Sequence, residues 1–254
     1  MSPEPGDRLA FWNSRAALGE TSGTQDLIAR ELEIRYLSRW LPKAGGRVLD
    51  AGCGNGYTLE RLQGAGSGGF LGYGFDFSPA MVEQAQARLP LGVIFQGDLR
   101  EIPSRLGAFG LVYTQRALIN LETAADQRAA IRNLGECVAA GGHLVLMECS
   151  VYGLRNLNRL RQQVGLPEVV APFHNRYLFD DEVTGVALHG MDFLQVDYPL
   201  DTYAFLSRVV QARLAMDEGH EPIYDHPINQ MALMLDGPMV PHCGQGRAFV
   251  WRRM

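Results

Sequence analysis

The chain has 254 residues, of which 46% are hydrophobic and 20% charged, and its formal net charge is -5. This length and composition fit one large α/β domain that can bury a core without disulfides or a structural metal. The acidic balance and the scattered basic residues argue against a surface that follows a phosphate backbone, so we expect no nucleic-acid substrate. The cysteines show no metal-ligand spacing and predict neither a zinc site nor a redox pair: Cys53, Cys137, Cys149 and Cys243.

Residues 1–42 are predicted to form an N-terminal helical leader. The start of the chain lacks the basic and apolar regions of a signal peptide, and no apolar run approaches the ~20 residues of a membrane span. We therefore expect a cytoplasmic protein without a membrane span. Trp12 and Arg15 lie in an irregular stretch and either face a ligand or belong to a helix packed on the core. After them, residues 26–41 predict an amphipathic helix, because large apolar residues recur at every fourth position: Ile28, Leu32, Tyr36 and Trp40.

The segment 48–59 is the most informative part of the chain. It passes from an apolar strand end at Asp50 into a turn with glycines at 52, 54 and 56, and then into a helix start. Glycines in this pattern let the backbone fold tightly and let a ligand approach its N–H groups. A dinucleotide-binding turn would place its third glycine at position 57, which is Tyr57, and no Gly-Lys-Ser/Thr follows as in a phosphate-binding loop. The turn therefore predicts a cofactor site of another kind.

Two further apolar segments also end in an acidic residue. The first ends at Asp76, directly before Ser78 and Pro79 open a helix that is predicted to reach residue 89. The second ends at Asp98. A carboxylate in the position of Asp76 can accept both ribose hydroxyls of a nucleoside in a doubly wound sheet. The three strand ends therefore predict one nucleoside-binding edge.

The glycine turn after Asp50, together with the strand ends at Asp76 and Asp98, resembles the class I S-adenosylmethionine-dependent methyltransferases over about residues 48–148. The resemblance implies an α/β fold: a doubly wound seven-stranded sheet, parallel except for an antiparallel last strand between the fifth and sixth, with a helical leader and cap insertions. It also implies S-adenosyl-L-methionine as the cofactor, with Asp76 at the ribose and Asp98 beside the adenine. The residues predicted to bind the cofactor are Asp50, Gly52, Gly54, Asp76, Phe77, Met81, Asp98, Leu99 and Gln115.

The remaining chain is expected to complete a single methyltransferase domain, residues 1–254. Helices are predicted at 126–139, ended by Gly141 and Gly142, and at 203–216. The remaining strands are predicted at 111–115, 141–148, 193–200 and 248–252. The predicted insertions, which would form a cap on the substrate side, are residues 150–190 and 201–246.

His174 and Glu148 are the candidate catalytic residues. Methyl transfer from a sulfonium is an in-line displacement, in which orientation contributes roughly 7 to 11 kcal/mol and a general base about 3 to 5 kcal/mol. A base is therefore useful without being essential. His174 lies in a polar and aromatic segment, and the alternative is a structural histidine. Glu148 ends the fifth strand, and the alternative is a structural carboxylate bonded to a helix N-terminus. No pattern of histidines predicts a metal site.

The sequence thus favours an enzyme that transfers a methyl group to an oxygen, and less readily to a nitrogen, of a small molecule or sugar in a bacterial biosynthetic pathway. The choice of a sugar rests on analogy with saccharide and natural-product methyltransferases rather than on deduction. Two alternatives stay open: other chemistry on the same cofactor, and a non-catalytic partner subunit. A homodimer also stays open.

Overall fold

The structure, a computed structural model, describes residues 7–42, 45–65, 69–103, 106–235, 237, 239–240 and 242–254. The strands are β1 Arg47–Ala51, β2 Leu71–Asp76, β3 Val93–Gln96, β4 Phe109–Gln115, β5 Val138–Cys149, β6 Met191–Asp197 and β7 Gly246–Arg253. The helices are α1 Arg8–Ala16, α2 Leu27–Ser38, α3 Tyr57–Ala65, α4 Pro79–Arg88, α5 Ala124–Glu136, α6 Val151–Gln163, α7 Asp180–Thr184, α8 Asp201–Ala204, α9 Ala212–Glu218 and α10 Pro227–Met234. A π-helical segment, Phe205–Gln211, joins α8 to α9. None of the helices in these ranges is long and apolar enough to cross a lipid bilayer.

The seven strands form one sheet in the order β3-β2-β1-β4-β5-β7-β6. Strands β1 to β5 run parallel, whereas β7 lies antiparallel between β5 and β6. The predicted doubly wound α/β fold with an antiparallel last strand is therefore confirmed. Because β1 to β4 are parallel, their carboxyl ends share one edge of the sheet, which is where ligands bind in folds of this kind.

Both faces of the sheet are buried, which explains why the central strands are almost continuously apolar. In β4, Val112 packs into an apolar cluster with α5 on one face. Its neighbours Leu111 and Tyr113 pack into a second cluster, with α2, α3 and α4, on the other face. Successive side chains of a strand point to opposite faces, so a strand covered on both sides needs apolar residues at every position.

Local sequence signals explain the helices beside the ligand-binding edge. The Ser78 hydroxyl accepts a backbone N–H from the first turn of α4, and Pro79 occupies its first position. Asp26 caps α2 in the same way, and this helix keeps its predicted buried face but ends at Ser38. The stretch before it, which we expected to be irregular, contains α1, capped by Asp7.

One boundary predicted from glycines is wrong. The helix expected at 126–139 ends at Glu136, and β5 begins at Val138, so Gly141 and Gly142 lie within the strand. A Cβ on Gly142 would lie 2.9 Å from two backbone carbonyl oxygens of β4. That glycine therefore permits close approach of two strands rather than ending a helix. The sixth strand also ends earlier than predicted, at residue 197 instead of 200.

The insertion at 201–246 packs against α2. A small apolar cluster joins Ile28 and Leu32 of α2 to Tyr203 and Ala232. The Tyr203 hydroxyl also donates a hydrogen bond to Asp26 at 2.6 Å. These contacts attach the insertion to the helix that borders the edge of the sheet.

Candidate functional site

A cleft lies along the edge formed by the carboxyl ends of β1 to β4. All nine residues that the sequence predicts to bind the cofactor line it: Asp50, Gly52, Gly54, Asp76, Phe77, Met81, Asp98, Leu99 and Gln115. Residues that the sequence analysis did not select also line it, among them Arg30, Tyr57, Thr58, Arg100, Arg116 and Asn120. The fold therefore brings the predicted strand ends together at one site.

The three glycines of the turn after β1 serve different purposes. Gly52, Gly54 and Gly56 have φ values of +82°, +52° and +76°. A Cβ on Gly52 would come within 2.5 Å of the Ala117 Cβ, and a Cβ on Gly56 would press against Ala85. A Cβ on Gly54 would meet no atom of the described residues within 4 Å, because this position faces the open cleft. Gly54 is thus the glycine whose missing side chain leaves room for a ligand.

Three N–H groups at the start of this turn donate to acceptors within the protein, whereas the sequence led us to expect them to face a ligand. Those of Gly52 and Cys53 donate to the Phe75 carbonyl at 2.8 and 2.9 Å. That of Gly54 donates to the Asp76 carboxylate at 2.9 Å. These bonds hold the turn in the shape that opens the cleft at Gly54.

Two carboxylates of the cleft are held by fixed donors. Asp76 accepts hydrogen bonds from the backbone N–H groups of Gly54 and Ser78, each at 2.9 Å. Asp50 is 2% exposed and accepts from the Tyr113 hydroxyl at 2.7 Å. Burial raises the pKa of both carboxyls, that of Asp50 to about 7. Such carboxylates favour a ligand that brings hydroxyl donors or positive charge, and a nucleoside on a cationic sulfur brings both.

The third carboxylate has a different environment. Asp98 is about a third exposed, and its carboxylate pairs with the Arg100 guanidinium at 2.6 Å. The hydrogen bond from Arg100 lowers the pKa of Asp98. Phe77 and Leu99 follow directly after the acids at 76 and 98 and add apolar surface to the cleft. A purine base has apolar faces and a polar edge, and this part of the cleft offers contacts to both.

A charged network at the β4 side of the cleft was not predicted. The Gln115 side chain accepts a hydrogen bond from the Thr58 hydroxyl at 2.6 Å and donates one to Glu33. Glu33 is 3% exposed and also pairs with the Arg116 guanidinium at 3.2 Å. Burial raises the pKa of Glu33. The network therefore places a buried ion pair against the wall of the cleft.

A second guanidinium, that of Arg30, lines the cleft beside the glycine turn. It stacks over the Tyr57 ring, with 3.6 Å between the guanidinium carbon and the ring centroid. It also donates a hydrogen bond to the backbone carbonyl of Glu20. Arg30 and Glu33 are three residues apart in α2, and a charged pair at this spacing on a buried helix is a sequence signal that could have identified them.

The leader contributes one of its two candidate residues to the cleft. Trp12 lines the cleft, and its indole N–H donates to the Asn120 side chain at 3.2 Å. Arg15 instead donates to the backbone carbonyls of Thr21 and Ser22. Trp12 is therefore in position to contact a ligand, whereas Arg15 fixes the chain that follows α1.

The structure does not place His174 in the cleft. Its imidazole stacks on the Phe11 ring with 4.3 Å between centroids, and it packs edge-on against Trp12. Burial, followed by the charges of Arg15 and Arg8, lowers the pKa of His174. The imidazole belongs to an aromatic cluster that joins α1 to the first insertion. The prediction that His174 acts as a base on the acceptor is corrected accordingly.

Glu148 is a structural carboxylate, which is the alternative that the sequence left open. It is 1% exposed and is not among the residues that line the cleft. One carboxylate oxygen accepts from the Thr114 hydroxyl and from the N–H groups of Ala117 and Leu118 at 2.7, 3.1 and 3.1 Å. The other accepts from the N–H of Ile119 at 3.3 Å. Glu148 therefore fixes the turn after β4, and the prediction of a catalytic role is corrected.

The fold and the cleft are typical of doubly wound proteins that bind nucleosides. Comparisons with known proteins narrow this broad class. Residues 48–142 match a family model described as a methyltransferase domain. A tRNA U34 carboxymethyltransferase of Geobacter sp. (strain M21) is 32% identical over 145 residues, which are 52% of this chain and 44% of that protein. A malonyl-[acyl-carrier protein] O-methyltransferase of Erwinia billingiae is 28% identical over 180 residues, which are 71% and 66% of the two chains.

Solved structures agree on the fold. Magnesium protoporphyrin IX methyltransferase of Synechocystis PCC 6803, with bound SAH, aligns over 89% of this chain and 84% of its own, with 18% identity and a TM-score of 0.54. The methyltransferase chain in a complex with the Trm112 activator of Haloferax volcanii aligns over 95% and 96%, with 17% identity and a TM-score of 0.59. Residues 48–142 therefore form a methyltransferase domain, and the fold of the whole chain agrees with the resemblance to class I S-adenosylmethionine-dependent methyltransferases that its motifs carry. The chain spans less than two thirds of the length of the two curated relatives described above.

Replacing Gly54 by valine is expected to weaken the binding of S-adenosylhomocysteine by about 100-fold, which corresponds to about 2.7 kcal/mol. The new side chain would occupy cleft space that is open among the residues the structure describes. Isothermal calorimetry measures the effect. Gly219→Val is the matched control, because Gly219 also has a positive φ and open space but caps α9 away from the cleft. Equal affinities of the two variants would contradict a ligand at Gly54.

The affinity for S-adenosylmethionine is expected to rise with pH as Asp50 ionises. The pKa of Asp50 is raised to about 7, so below that value the free protein carries a neutral carboxyl there. A cationic ligand favours the ionised form, so binding below this pH releases a proton. The affinity should then rise by at most about tenfold per pH unit. The gain should level off above about pH 7. The Asp50→Asn side chain can still accept a hydrogen bond from Tyr113, but it cannot ionise, so its affinity should lack this rise with pH. Calorimetry at several pH values compares the two proteins with the same ligand. Identical pH profiles would contradict the assignment.

Proposed function

We propose that this chain binds S-adenosylmethionine along the cleft and transfers its methyl group to an oxygen of a small molecule or sugar. The observation that carries the proposal is the meeting of Asp50, Asp76 and Asp98 with the opening at Gly54 on one edge of the sheet. The bound cofactor would supply an electrophilic methyl group on a cationic sulfur. Asp76 would accept the ribose hydroxyls, Asp98 would lie at the adenine edge, and Asp50 would balance positive charge.

Two observations support oxygen as the methylated atom. Both residues that the sequence offered as bases, His174 and Glu148, lie outside the cleft. An acceptor that already carries an unprotonated lone pair, such as a carboxylate, needs no base. The relative that matches over the larger share of this chain is named as an O-methyltransferase of a malonyl group. Nitrogen therefore remains the less favoured atom.

The charge of the chain supports a small acceptor over a nucleic acid. The net charge of -5 opposes a polyanion, and its long-range field would slow the approach of tRNA. Several relatives are named as tRNA enzymes, but the Geobacter match covers only about half of this chain. A filter-binding assay with total bacterial tRNA separates the two acceptor classes, since retention at physiological salt would contradict our proposal.

A second candidate function is transfer of a carboxymethyl group, as in the names of the tRNA-modifying relatives. The observation that favours it is the presence of guanidinium groups in the lining of the cleft, those of Arg30 and Arg116 among them. A carboxylate on the transferred group would be attracted to either. This candidate keeps the cofactor site and changes only what is transferred.

The experiment that tests the proposed function follows the label of the cofactor methyl group. The purified protein is incubated with [methyl-³H]S-adenosylmethionine, a metabolite extract and total bacterial tRNA, and labelled products are separated by chromatography. We expect the wild type to transfer label to a small molecule and the Asp76→Ala variant to transfer none. Label only in tRNA, or binding of S-adenosylhomocysteine without any labelled product, would contradict the proposed acceptor or the proposed turnover.

A further inference from the structure

We propose that Arg116 is an acceptor-recognition residue and that the acceptor presents a carboxylate, which the enzyme converts to a methyl ester. This inference rests on the proposed function and names its substrate class. It depends on where Arg116 lies, on the unused donors of its side chain and on its backbone conformation.

Arg116 lies in the part of the cleft away from the proposed nucleoside site. The acids at the ends of β1, β2 and β3 assign that side to the cofactor, and Arg30 stands beside the glycine turn on the same side. Arg116 follows β4, and its backbone N–H donates to the Met147 carbonyl of β5 at 2.8 Å. Arg8 also lines the cleft, but its guanidinium is bound by a carboxylate and by a backbone carbonyl. The Arg116 guanidinium is therefore the one at the end of β4 that keeps donors for an acceptor.

The Arg116 side chain has donors to offer there. A guanidinium carries five N–H groups. Among the residues that the structure describes, Arg116 pairs with Glu33 through one nitrogen at 3.2 Å, and Glu33 is shared with Gln115. The side chain keeps 25% of its surface exposed and lines the cleft. Glu33 thus anchors the guanidinium, and the N–H groups that it does not bind stay available to a ligand in the cleft.

The backbone of Arg116 is held in an unfavourable conformation. Its φ is +55°, in the left-handed region, where an L-residue is disfavoured and glycine is not. Such conformations persist where the surroundings over-determine them, and they cluster at ligand sites. A turn that needed only this backbone shape would be satisfied by glycine. The presence of arginine points to a use for its side chain.

A carboxylate is the group that matches these donors. A guanidinium edge presents two parallel N–H groups that fit a planar carboxylate better than a neutral amide or hydroxyl. One carboxylate oxygen would use a lone pair to form the new O–CH₃ bond while the S–CH₃ bond breaks and its electron pair returns to sulfur. The products are a methyl ester and neutral S-adenosylhomocysteine. No proton moves, which agrees with His174 and Glu148 lying outside the cleft.

The test uses matched pairs of a carboxylate and its carboxamide: malonate and malonamide, benzoate and benzamide, and glucuronate and glucuronamide. Calorimetry measures their binding to the protein saturated with S-adenosylhomocysteine. We expect the wild type to bind at least one carboxylate about tenfold tighter than its carboxamide. With [methyl-³H]S-adenosylmethionine the same carboxylate should give labelled methanol after alkaline hydrolysis, which reports an ester and not an ether or an N-methyl group.

Arg116→Gln should abolish the carboxylate preference and leave the affinity for S-adenosylhomocysteine within about threefold. If the unpaired Glu33 prevents folding of this variant, Glu33→Gln/Arg116→Gln replaces the buried ion pair by a neutral pair of similar shape. Arg30→Gln is the control: it should weaken S-adenosylhomocysteine binding and keep the carboxylate preference.

Three outcomes of these binding measurements on the wild type and Arg116→Gln would overturn the inference. The first is a wild type that shows no preference for the carboxylate in any pair. The second is an Arg116→Gln variant that keeps the carboxylate preference. The third is an Arg116→Gln variant whose affinity for S-adenosylhomocysteine falls as much as its carboxylate preference. The last result would assign Arg116 to the cofactor.

Calorimetry is also carried out with a sulfonium that carries a carboxymethyl group. Tight binding of this sulfonium without an added carboxylate would place the anion on the cofactor instead of on the acceptor. A wild type that binds no S-adenosylhomocysteine would remove the proposed function itself.

Discussion

Glu148→Ala is expected to lower the free energy of unfolding by more than about 3 kcal/mol. The substitution leaves the Thr114 hydroxyl and the N–H groups of Ala117, Leu118 and Ile119 without their acceptor. Each buried donor without a partner costs about 1 to 3 kcal/mol, although part of this is recovered if water enters the space. Urea unfolding followed by circular dichroism measures the change, which should appear in the midpoint rather than in the slope.

Glu148→Gln is the matched control for this prediction. The amide keeps the volume and one acceptor oxygen, and it removes a carboxyl whose burial raises its pKa to about 7. We therefore expect it to lose less than half of the stability lost by the alanine variant. Should Glu148→Ala unfold like the wild type and yet lose all methyl transfer, the carboxylate would be catalytic after all, and its hydrogen bonds to the turn would be incidental.

Most of the fold could be predicted from the sequence because it depends on local patterns. The apolar runs of β1, β2 and β4 are buried on both faces, and each ends at a polar residue or a glycine turn. The cap of α4 by Ser78 is likewise local. Gly142 was misinterpreted because the reason for a glycine there is the approach of β4, which belongs to the tertiary structure.

The site divides along the same line. The nine predicted cofactor residues lie at or directly after strand ends, so chain order placed them on one edge of the sheet. Glu33 and Arg116 come from α2 and from the turn after β4, and nothing local in the sequence pairs them. The two proposed bases failed for a related reason: a position in a segment or at a strand end does not determine which way a side chain points. Glu148 points into the turn at 117–119, and His174 into a cluster of aromatic rings.

Asp76→Ala is expected to abolish stabilisation by S-adenosylhomocysteine. A ligand present at about 100 times its dissociation constant stabilises the folded state by about 2.7 kcal/mol. For a chain of this size that corresponds to a rise in melting temperature of roughly 5 to 10 °C. The alanine variant loses the carboxylate proposed to accept the ribose hydroxyls, so its melting temperature should shift by less than about 1 °C. Differential scanning calorimetry with and without the ligand gives both values.

Asp76 also accepts hydrogen bonds from the backbone N–H groups of Gly54 and Ser78, so the ligand-free variant should itself melt at a lower temperature. Each variant is therefore compared with its own ligand-free form. Asp98→Asn is the matched control, since Asp98 is about a third exposed and already paired with Arg100, and it should keep most of the ligand-induced shift. A full shift in Asp76→Ala would mean that Asp76 only supports the glycine turn. The ribose would then have to be bound by other groups of the cleft, and the reading of three acids as one nucleoside site would fail.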